Sequence, residues 1–166
     1  EDLDDFYEYS RNPNVGPNAG WKPHSSKQES REILRHFINN PSVWALVDKS
    51  TNKVIGSIGL HEDRKRDHQN AKMLGYVLAE PYWGKGLMTE AAKRMIKYAF
   101  EELRIDLLSV YHYPHNQRSK RVIEKCGFHY EGTLRQASTI YNGNIYDDVC
   151  YSLTKEEYYR EIKGRE

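Results

Sequence analysis

The feature that most constrains the fold is a pair of glycines between an apolar run and a long amphipathic segment. Gly84 and Gly86 flank Lys85, after the strand-like run Met73–Leu78 and directly before the helical pattern of Leu87–Leu103. The first turn of a helix presents unpaired N–H groups and a positive dipole end, which together bind phosphate. Glycine lets the backbone approach a phosphate because it has no Cβ in the way. This segment therefore predicts a binding site for a phosphorylated ligand.

The length and charge of the chain exclude several classes of protein. The 166 residues are typical of one domain, so we assign 1–166 to a single domain. A net charge of +1, from 25 basic and 24 acidic residues, lacks the basic excess of a dedicated nucleic-acid binder. No apolar run approaches the roughly 18 residues of a membrane span. We therefore expect neither direct nucleic-acid binding nor a membrane partner.

The cysteines and the first residues indicate the compartment. Cys126 and Cys150 are too few for a disulfide scaffold and too isolated for a zinc site. The acidic start, 1–5, is unlike the basic start of a secretory signal. We expect a cytoplasmic protein without a metal.

Hydrophobic periodicity predicts a mixed α/β sheet with one parallel crossover. The predicted helices are Leu3–Ser10, Lys27–Phe37, Leu87–Leu103, Arg118–Cys126 and Lys155–Ile162. The predicted strands are Val43–Val47, Val54–Leu60, Met73–Leu78, Leu107–Tyr113, Phe128–Leu134, Ser138–Tyr141 and Ile145–Leu153. Asn52 and Lys53 are expected in the turn of a first hairpin, and Asn142-Gly143 is a strong signal for a second.

Two loops carry features of their own. The segment Arg11–His24 is rich in Pro, Gly and Asn and is long enough to suggest a function such as a lid, although an ordinary surface loop is the alternative. Within it, Trp21 and His24 are the predicted substrate contacts. The basic cluster Arg64-Lys65-Arg66 is expected to be a solvated surface.

Two phosphate-binding patterns fit the glycines poorly. The P-loop pattern G-x-x-x-x-G-K-S/T is absent. Gly84, Gly86 and Asp106 partly match a dinucleotide fingerprint, but Thr89 stands where its third glycine belongs. The strand-rich flanks also argue against a doubly wound sheet, so a nucleotide-dependent oxidoreductase is the weaker interpretation.

Two blocks of sequence carry a more specific pattern. The segment Trp83–Met88 (WGKGLM) corresponds to Q/R-x-x-G-x-G/A, with its central Gly86 kept, Trp83 in place of the polar first residue and Met88 in place of the small last one. The segment Asn116–Phe128 (NQRSKRVIEKCGF) follows N-x-x-S, a helix and then G-F. Together they resemble the GNAT superfamily of acetyl-CoA-dependent N-acetyltransferases, in particular the RimJ/RimL-like branch of ribosomal-protein N-acetyltransferases. The resemblance covers Val54–Leu153.

The resemblance implies a fold and a cosubstrate. It implies a mixed, mostly antiparallel sheet, flanked by helices, whose central strands Met73–Ala79 and Leu107–Tyr113 splay apart. Acetyl-CoA is expected to pair with the first of these strands and to place its pyrophosphate on Gly84 to Thr89. The implied cofactor-binding residues are Val77, Leu78, Trp83, Gly84, Lys85, Gly86, Leu87, Met88, Thr89, Asn116, Ser119 and Lys120, with Arg121 as an alternative to Lys120 for the 3′-phosphate. Family members usually begin with one more strand, which we expect before Glu1.

The resemblance also implies direct attack of an amine on the thioester. The tyrosine that often protonates the leaving thiolate in the superfamily is replaced by Ile123, and the Rim-like branch uses a serine that Ser119 matches. A helix N-terminal residue without chemistry is the alternative for Ser119. A backbone N–H near Val77 or Leu78 is expected to stabilise the oxyanion.

The general base is not identified by the pattern. The glutamate that the branch can carry before the last hairpin is replaced by Ser138. His61, Glu62, His112 and Asp147 are candidate substitutes, although each is also typical of a structural polar residue. An α-amine has a pKa of about 7.8 against about 10.4 for a lysine amine, so the absence of an obvious base favours an α-amine or another weakly basic amine as acceptor.

The predicted activity is therefore acetyl transfer from acetyl-CoA to a primary amine of a protein N-terminus or a small molecule. The alternative is a non-catalytic acyl-CoA-binding module that acts as a sensor or regulator. The C-terminal strands are candidates for pairing across a homodimer.

Overall fold

A six-stranded sheet runs through the molecule in the order β1-β2-β3-β4-β6-β5, in a computed structural model that describes residues 2–165. The strands are β1 (Val43–Asp48), β2 (Lys53–Glu62), β3 (Ala71–Leu78), β4 (Leu107–His112), β5 (His129–Thr139) and β6 (Ile145–Thr154). The helices are α1 (Leu3–Ser10), α2 (Lys27–Ile38), α3 (Leu87–Lys97), α4 (Gln117–Lys125) and the short α5 (Lys155–Glu157). Wider turns, Tyr98–Glu102 and Tyr158–Ile162, extend α3 and α5.

The predicted mixed sheet is confirmed. Every neighbouring pair of strands is antiparallel except β3 and β4, which are parallel because α3 forms the crossover between them. The second hairpin turns where expected, with Gly143 at φ +86° and its N–H donating to the carbonyl of Ile140 over 2.9 Å. The strand expected before Glu1 lies outside the described residues. Within them, no helix is both long and apolar enough to cross a bilayer.

The predicted splay of the central strands is also confirmed. β3 and β4 pair only from Ala71 to Met73, opposite Leu107 to Ser109. Beyond these positions, β3 continues to Leu78 and β4 continues to His112, but the two strands no longer pair with each other. A gap therefore opens in the middle of the sheet.

Two strand predictions were wrong in detail. Lys53 begins β2 instead of lying in the turn. The two predicted segments at 128–134 and 138–141 form one strand, β5, whose register against β6 shifts between Leu134 and Ser138, with Gln136 at φ +51°. A bulge interrupts the alternation of side chains, so a single bulged strand gives the sequence pattern of two.

The basic cluster at 64–66 is solvated as expected only in part: Arg64 is exposed, whereas Lys65 and Arg66 pair with acidic residues. Lys65 forms a 2.7 Å ion pair with the buried Asp148 of β6. Arg66 lies 3.3 Å from the buried Asp63, and its side chain is only 20% exposed. Asp63 is only three residues before Arg66, but Asp148 lies far along the chain in β6, so composition alone could not show that the loop is bound to the sheet by charge.

Each face of the sheet packs on its own pair of helices. In β2, Ile58 and Leu60 point into the core formed with α3 and α4, whereas Ser57, Gly59 and His61 point to the opposite face because side chains alternate along a strand. α1 and α2 pack on that second face. On the second face, small and polar residues of β2 therefore lie beneath α1 and α2.

Candidate active site

Two cavities meet at the unpaired end of β3. The first, of about 280 Å³, is lined by the end of β3, the glycine turn, the start of α3 and the inner side of α4; we call it the glycine-loop cavity. The second, of about 520 Å³, lies between α1, α2, the loop before α2 and the strands β2 and β3; we call it the aromatic cavity. Ala19, Tyr76 and Val77 line both cavities. The two cavities therefore adjoin at these residues.

The glycine turn presents bare backbone to the first cavity. Gly84 has φ +72° and Gly86 has φ +76°, and a Cβ added to either would meet no atom within 4 Å. Gly86 is the N-cap of α3, and no side chain caps this end of the helix. The N–H groups of the first turn are therefore available to an anion at the positive end of the helix dipole.

Most of the predicted cofactor residues lie around this cavity. The residues that line it are Val77, Leu78, Trp83, Gly84, Gly86, Leu87, Met88, Thr89, Asn116 and Ser119. Lys85 and Lys120 do not: Lys85 is exposed, with its Nζ 5.3 Å from the Tyr82 ring centroid, and Lys120 lies 3.8 Å from Glu124.

Basic residues of α4 other than Lys120 line the glycine-loop cavity. Arg118, Arg121 and Lys125 line the glycine-loop cavity, and their spacing puts them on one side of the helix. The apolar Ile123, which is 1% exposed, marks the buried side of α4, so the sequence indicates which side chains of the helix face the core. Lys120 points away from the cavity for the same reason.

Trp83 holds the end of β3. Its indole Nε1 donates a 2.7 Å hydrogen bond to the carbonyl of Leu78. The guanidinium of Arg118 lies 3.5 Å from the Trp83 ring centroid, which is a close cation–π contact. The tryptophan at this position therefore links the glycine turn, β3 and α4.

The backbone of Leu78 faces the gap between the central strands. The N–H of Ala79 donates to the carbonyl of Ile55 over 2.7 Å, so Ala79 turns its backbone groups toward β2. Successive residues of an antiparallel ladder alternate in direction, so those of Val77 also face β2 and those of Leu78 face away from it. Of the two residues predicted to supply the oxyanion donor, only Leu78 has its N–H directed into the gap.

Ser119 is held against Tyr76 at the meeting point. Its Oγ lies 2.8 Å from the Tyr76 hydroxyl, and its N–H donates to Oδ1 of the N-cap Asn116 over 3.2 Å. Burial raises the pKa of the Tyr76 phenol, so this group stays protonated at neutral pH. Sequence reasoning missed Tyr76. Tyr76 could have been found from the alternation of side chains along β3, which places it on the opposite face from Val77, the face that packs against α4.

The loop at 11–24 forms a wall that both cavities share. It contains the turn Gly16–Ala19 and the buried Val15. Trp21 and His24 line the aromatic cavity, and Nδ1 of His24 lies 2.7 Å from Oγ of Ser30. That the loop moves as a lid, and that Trp21 and His24 contact substrate, stay predictions.

The structure separates the four candidate bases. Glu62 is exposed at the end of β2, and Nδ1 of His112 donates to the carbonyl of Tyr113 over 2.7 Å. Oδ1 of Asp147 accepts the N–H of Gln136 over 2.8 Å. Of the four, only His61 lines the aromatic cavity.

Comparison with known proteins identifies the family. Residues 1–129 match the acetyltransferase (GNAT) domain. The chain belongs to the GNAT acetyltransferase family. It is 28% identical over 165 residues to the uncharacterized N-acetyltransferase p20 of Bacillus licheniformis, covering 95% of this chain and 90% of that protein. It is 30% identical over 115 residues to the ribosomal protein uS5-alanine N-acetyltransferase of Escherichia coli, covering 69% of this chain and 58% of that protein.

The fold agrees with this assignment. A GNAT-family acetyltransferase from Bacillus anthracis superposes with a TM-score of 0.83 at 23% identity, covering 94% of this chain and 90% of that chain. The predicted resemblance to acetyl-CoA-dependent N-acetyltransferases is confirmed, and ribosomal-protein N-acetyltransferases are among the relatives. Within residues 2–165, no cluster of His, Cys, Asp and Glu side chains is arranged to hold a metal ion.

We expect Gly86→Glu to abolish the rise in melting temperature that acetyl-CoA gives, because a carboxylate would enter the anion site at the start of α3. Gly143→Glu is the matched control: it has φ +86° and open space around an added Cβ, but it lies in the β5–β6 turn. A Gly86→Glu protein that folds and keeps the full shift would show that the phosphates bind elsewhere.

Proposed function

We propose that this GNAT protein transfers the acetyl group of acetyl-CoA to the primary amine of a peptide N-terminus or a small molecule, by direct attack. The observation that carries the proposal is the meeting of two cavities at Tyr76 and Val77, beside the unpaired end of β3. One cavity suits the cosubstrate and the other suits the acceptor. Acetyl-CoA supplies a thioester whose carbonyl carbon accepts the amine.

The residues of the glycine-loop cavity fit the cosubstrate. The uncapped first turn of α3 and the side chains of Arg118, Arg121 and Lys125 suit phosphate groups. The N–H of Leu78, directed into the gap, suits the oxygen on which negative charge develops during attack. Ser119 and Tyr76 hold a hydroxyl pair that can pass a proton to the leaving sulfur.

The aromatic cavity suits an amine next to an apolar group. Its apolar lining includes Phe6, Tyr9, Trp21, Ile33, Phe37, Val43 and Met73. Among the described residues, Glu29 is its one carboxylate, and that group already accepts the N–H and Oγ of Ser25 over 2.7 and 2.8 Å. A polycationic acceptor would need more negative charge than this. The relative that acts on an alanine of a ribosomal protein supports an α-amine acceptor.

We expect acetyl-CoA to raise the melting temperature, while NAD has no effect. A ligand at about 100 times its Kd stabilises the native state by about 2.7 kcal/mol. With a panel of primary amines, thiol detection should then show CoA release that depends on the amine. Stabilisation without CoA release from any amine would favour the non-catalytic module, and no stabilisation at all would contradict the cosubstrate assignment.

We expect Ser119→Ala to lower kcat about tenfold with little change in the acetyl-CoA dissociation constant. The expected effect is below the usual range for a general acid because a thiol with a pKa of about 8.5 is already a tolerable leaving group. Ser50→Ala, in the β1–β2 turn, is the control. An unchanged kcat would leave Ser119 as a helix N-terminal residue without a chemical role.

A further inference from the structure

We propose that His61 takes the proton from the acceptor amine, with its ring seated over Gly59 and Gly75 of the sheet. The proposal rests on the proposed acetyl transfer and assigns the one role in it that the sequence motifs leave open. It is carried by the position of the ring on the floor of the aromatic cavity.

Two facing glycines make room for the ring. Gly59 of β2 and Gly75 of β3 are directly opposite each other in the sheet. A Cβ on Gly59 would lie 2.8 Å from Nε2 of His61, and one on Gly75 would lie 3.1 Å from both Nε2 and Cδ2. Glycine weakens a strand, so two of them at one cross-strand position need a structural reason. At Gly75 the imidazole supplies that reason, because an added Cβ would meet only the ring. At Gly59 an added Cβ would also lie 2.9 Å from the carbonyl oxygen of Ser42, so the ring and this oxygen act together there.

The ring extends toward the place where the cavities meet. Along the ladder, the pair Gly59–Gly75 lies between the pair His61–Met73 and the pair Ser57–Val77. A ring that starts at His61 and covers the two glycines therefore extends in the direction of Val77. Val77 lines both cavities. His61 is thus placed on the acceptor side of the site, with Nε2 above the glycines.

The imidazole is free to accept a proton. The backbone of His61 belongs to the β2–β3 ladder, but no hydrogen bond or ion pair engages its side chain in the described span 2–165. Burial lowers the pKa of His61 below its ordinary value of 6.5, so the ring is neutral at pH 7. A neutral, unpaired imidazole beside a bound amine is in the form that a general base requires.

The other titratable groups of the cavity are less suitable. They come from α1, the loop before α2, α2 itself and β3, and they are Tyr9, Lys22, His24, Glu29 and Tyr76. Hydrogen bonds already engage Tyr9 with Ser57, His24 with Ser30, Glu29 with Ser25 and Tyr76 with Ser119. The ammonium group of Lys22 has hydrogen-bond donors and no acceptor.

The proton balance of the step is simple. The amine nitrogen bonds to the acetyl carbonyl carbon, and the C–S bond breaks. The nitrogen loses one proton to Nε2 of His61, and the sulfur gains one from the Ser119 side. His61 then returns its proton to solvent, and the Ser119–Tyr76 pair regains one from solvent, so both groups are restored and the net products are an amide and the CoA thiol.

The test is the pH dependence of CoA release by the wild type and by His61→Gln, with acetyl-CoA and Ala-Phe amide as the probe. We expect wild-type kcat/KM to fall at low pH as His61 is protonated, below pH 6.5, in addition to the fall caused by the α-amine. The variant should be about 100-fold slower at pH 7 and should lack the His61 limb. His36→Gln, on the exposed side of α2, should match the wild type. Acetyl-CoA should stabilise all three proteins equally.

Gly75→Ala tests the seating of the ring. Its Cβ would press only on His61, so it should lower kcat/KM in the wild type and have little further effect in a His61→Ala background. Equal effects in both backgrounds would show that Gly75 acts independently of His61. The role of His61 would be disproved by a His61→Gln variant that stays within twofold of the wild type or keeps the low-pH limb.

Failure of the acetyl-transfer proposal gives a different result. In that case the wild type is stabilised by acetyl-CoA but releases no CoA with Ala-Phe amide or with phenethylamine. That outcome overturns the transfer activity and the role of His61 together. Loss confined to the His61 variants supports both.

Discussion

The site depends on the early separation of β3 and β4. These strands pair over Ala71–Met73 and then part, which leaves backbone groups of β3 without a ladder partner. Unpaired backbone groups are costly unless something else satisfies them, by about 1–3 kcal/mol when buried. Trp83 satisfies the carbonyl of Leu78, and the N–H of the same residue is left for a ligand. The opened sheet therefore has an unpaired edge of β3 in the middle of the molecule, where a ligand can form hydrogen bonds.

The surrounding elements are arranged about this gap. Asn116 caps α4 and also donates from Nδ2 to the carbonyl of Asn18 over 3.3 Å, which ties α4 to the loop that walls both cavities. Tyr76 and Ser119 meet on one side of the opened strand, and the ring of His61 lies on the other. The consecutive residues Tyr76 and Val77 of β3 thus face opposite sides of the sheet, Tyr76 toward the proposed cosubstrate side and Val77 toward the proposed acceptor side.

The sequence predicts the parts of this arrangement that depend on local pattern. The turn at Gly84 and Gly86 and the serine at the start of α4 are readable because each motif is contiguous. Contacts between distant strands are not: Lys65 with Asp148 could not be read from a charged loop, and the bulge in β5 resembles a break between strands. From the sequence, Gly59 and Gly75 look like ordinary strand glycines. Only the register of β2 and β3 shows that they lie opposite each other, next to the ring of His61.

Hydrogen exchange at the end of β3 reports directly on whether acetyl-CoA lies in the gap between β3 and β4. The N–H of Leu78 faces the gap, whereas that of Val77 faces β2, so the two neighbours form an internal comparison. Their exchange rates can be measured by NMR with and without saturating acetyl-CoA. We expect acetyl-CoA to slow exchange at Leu78 and to leave the already protected Val77 nearly unchanged. Bound acetyl-CoA with no added protection at Leu78 would show that the gap between β3 and β4 is not where the thioester lies.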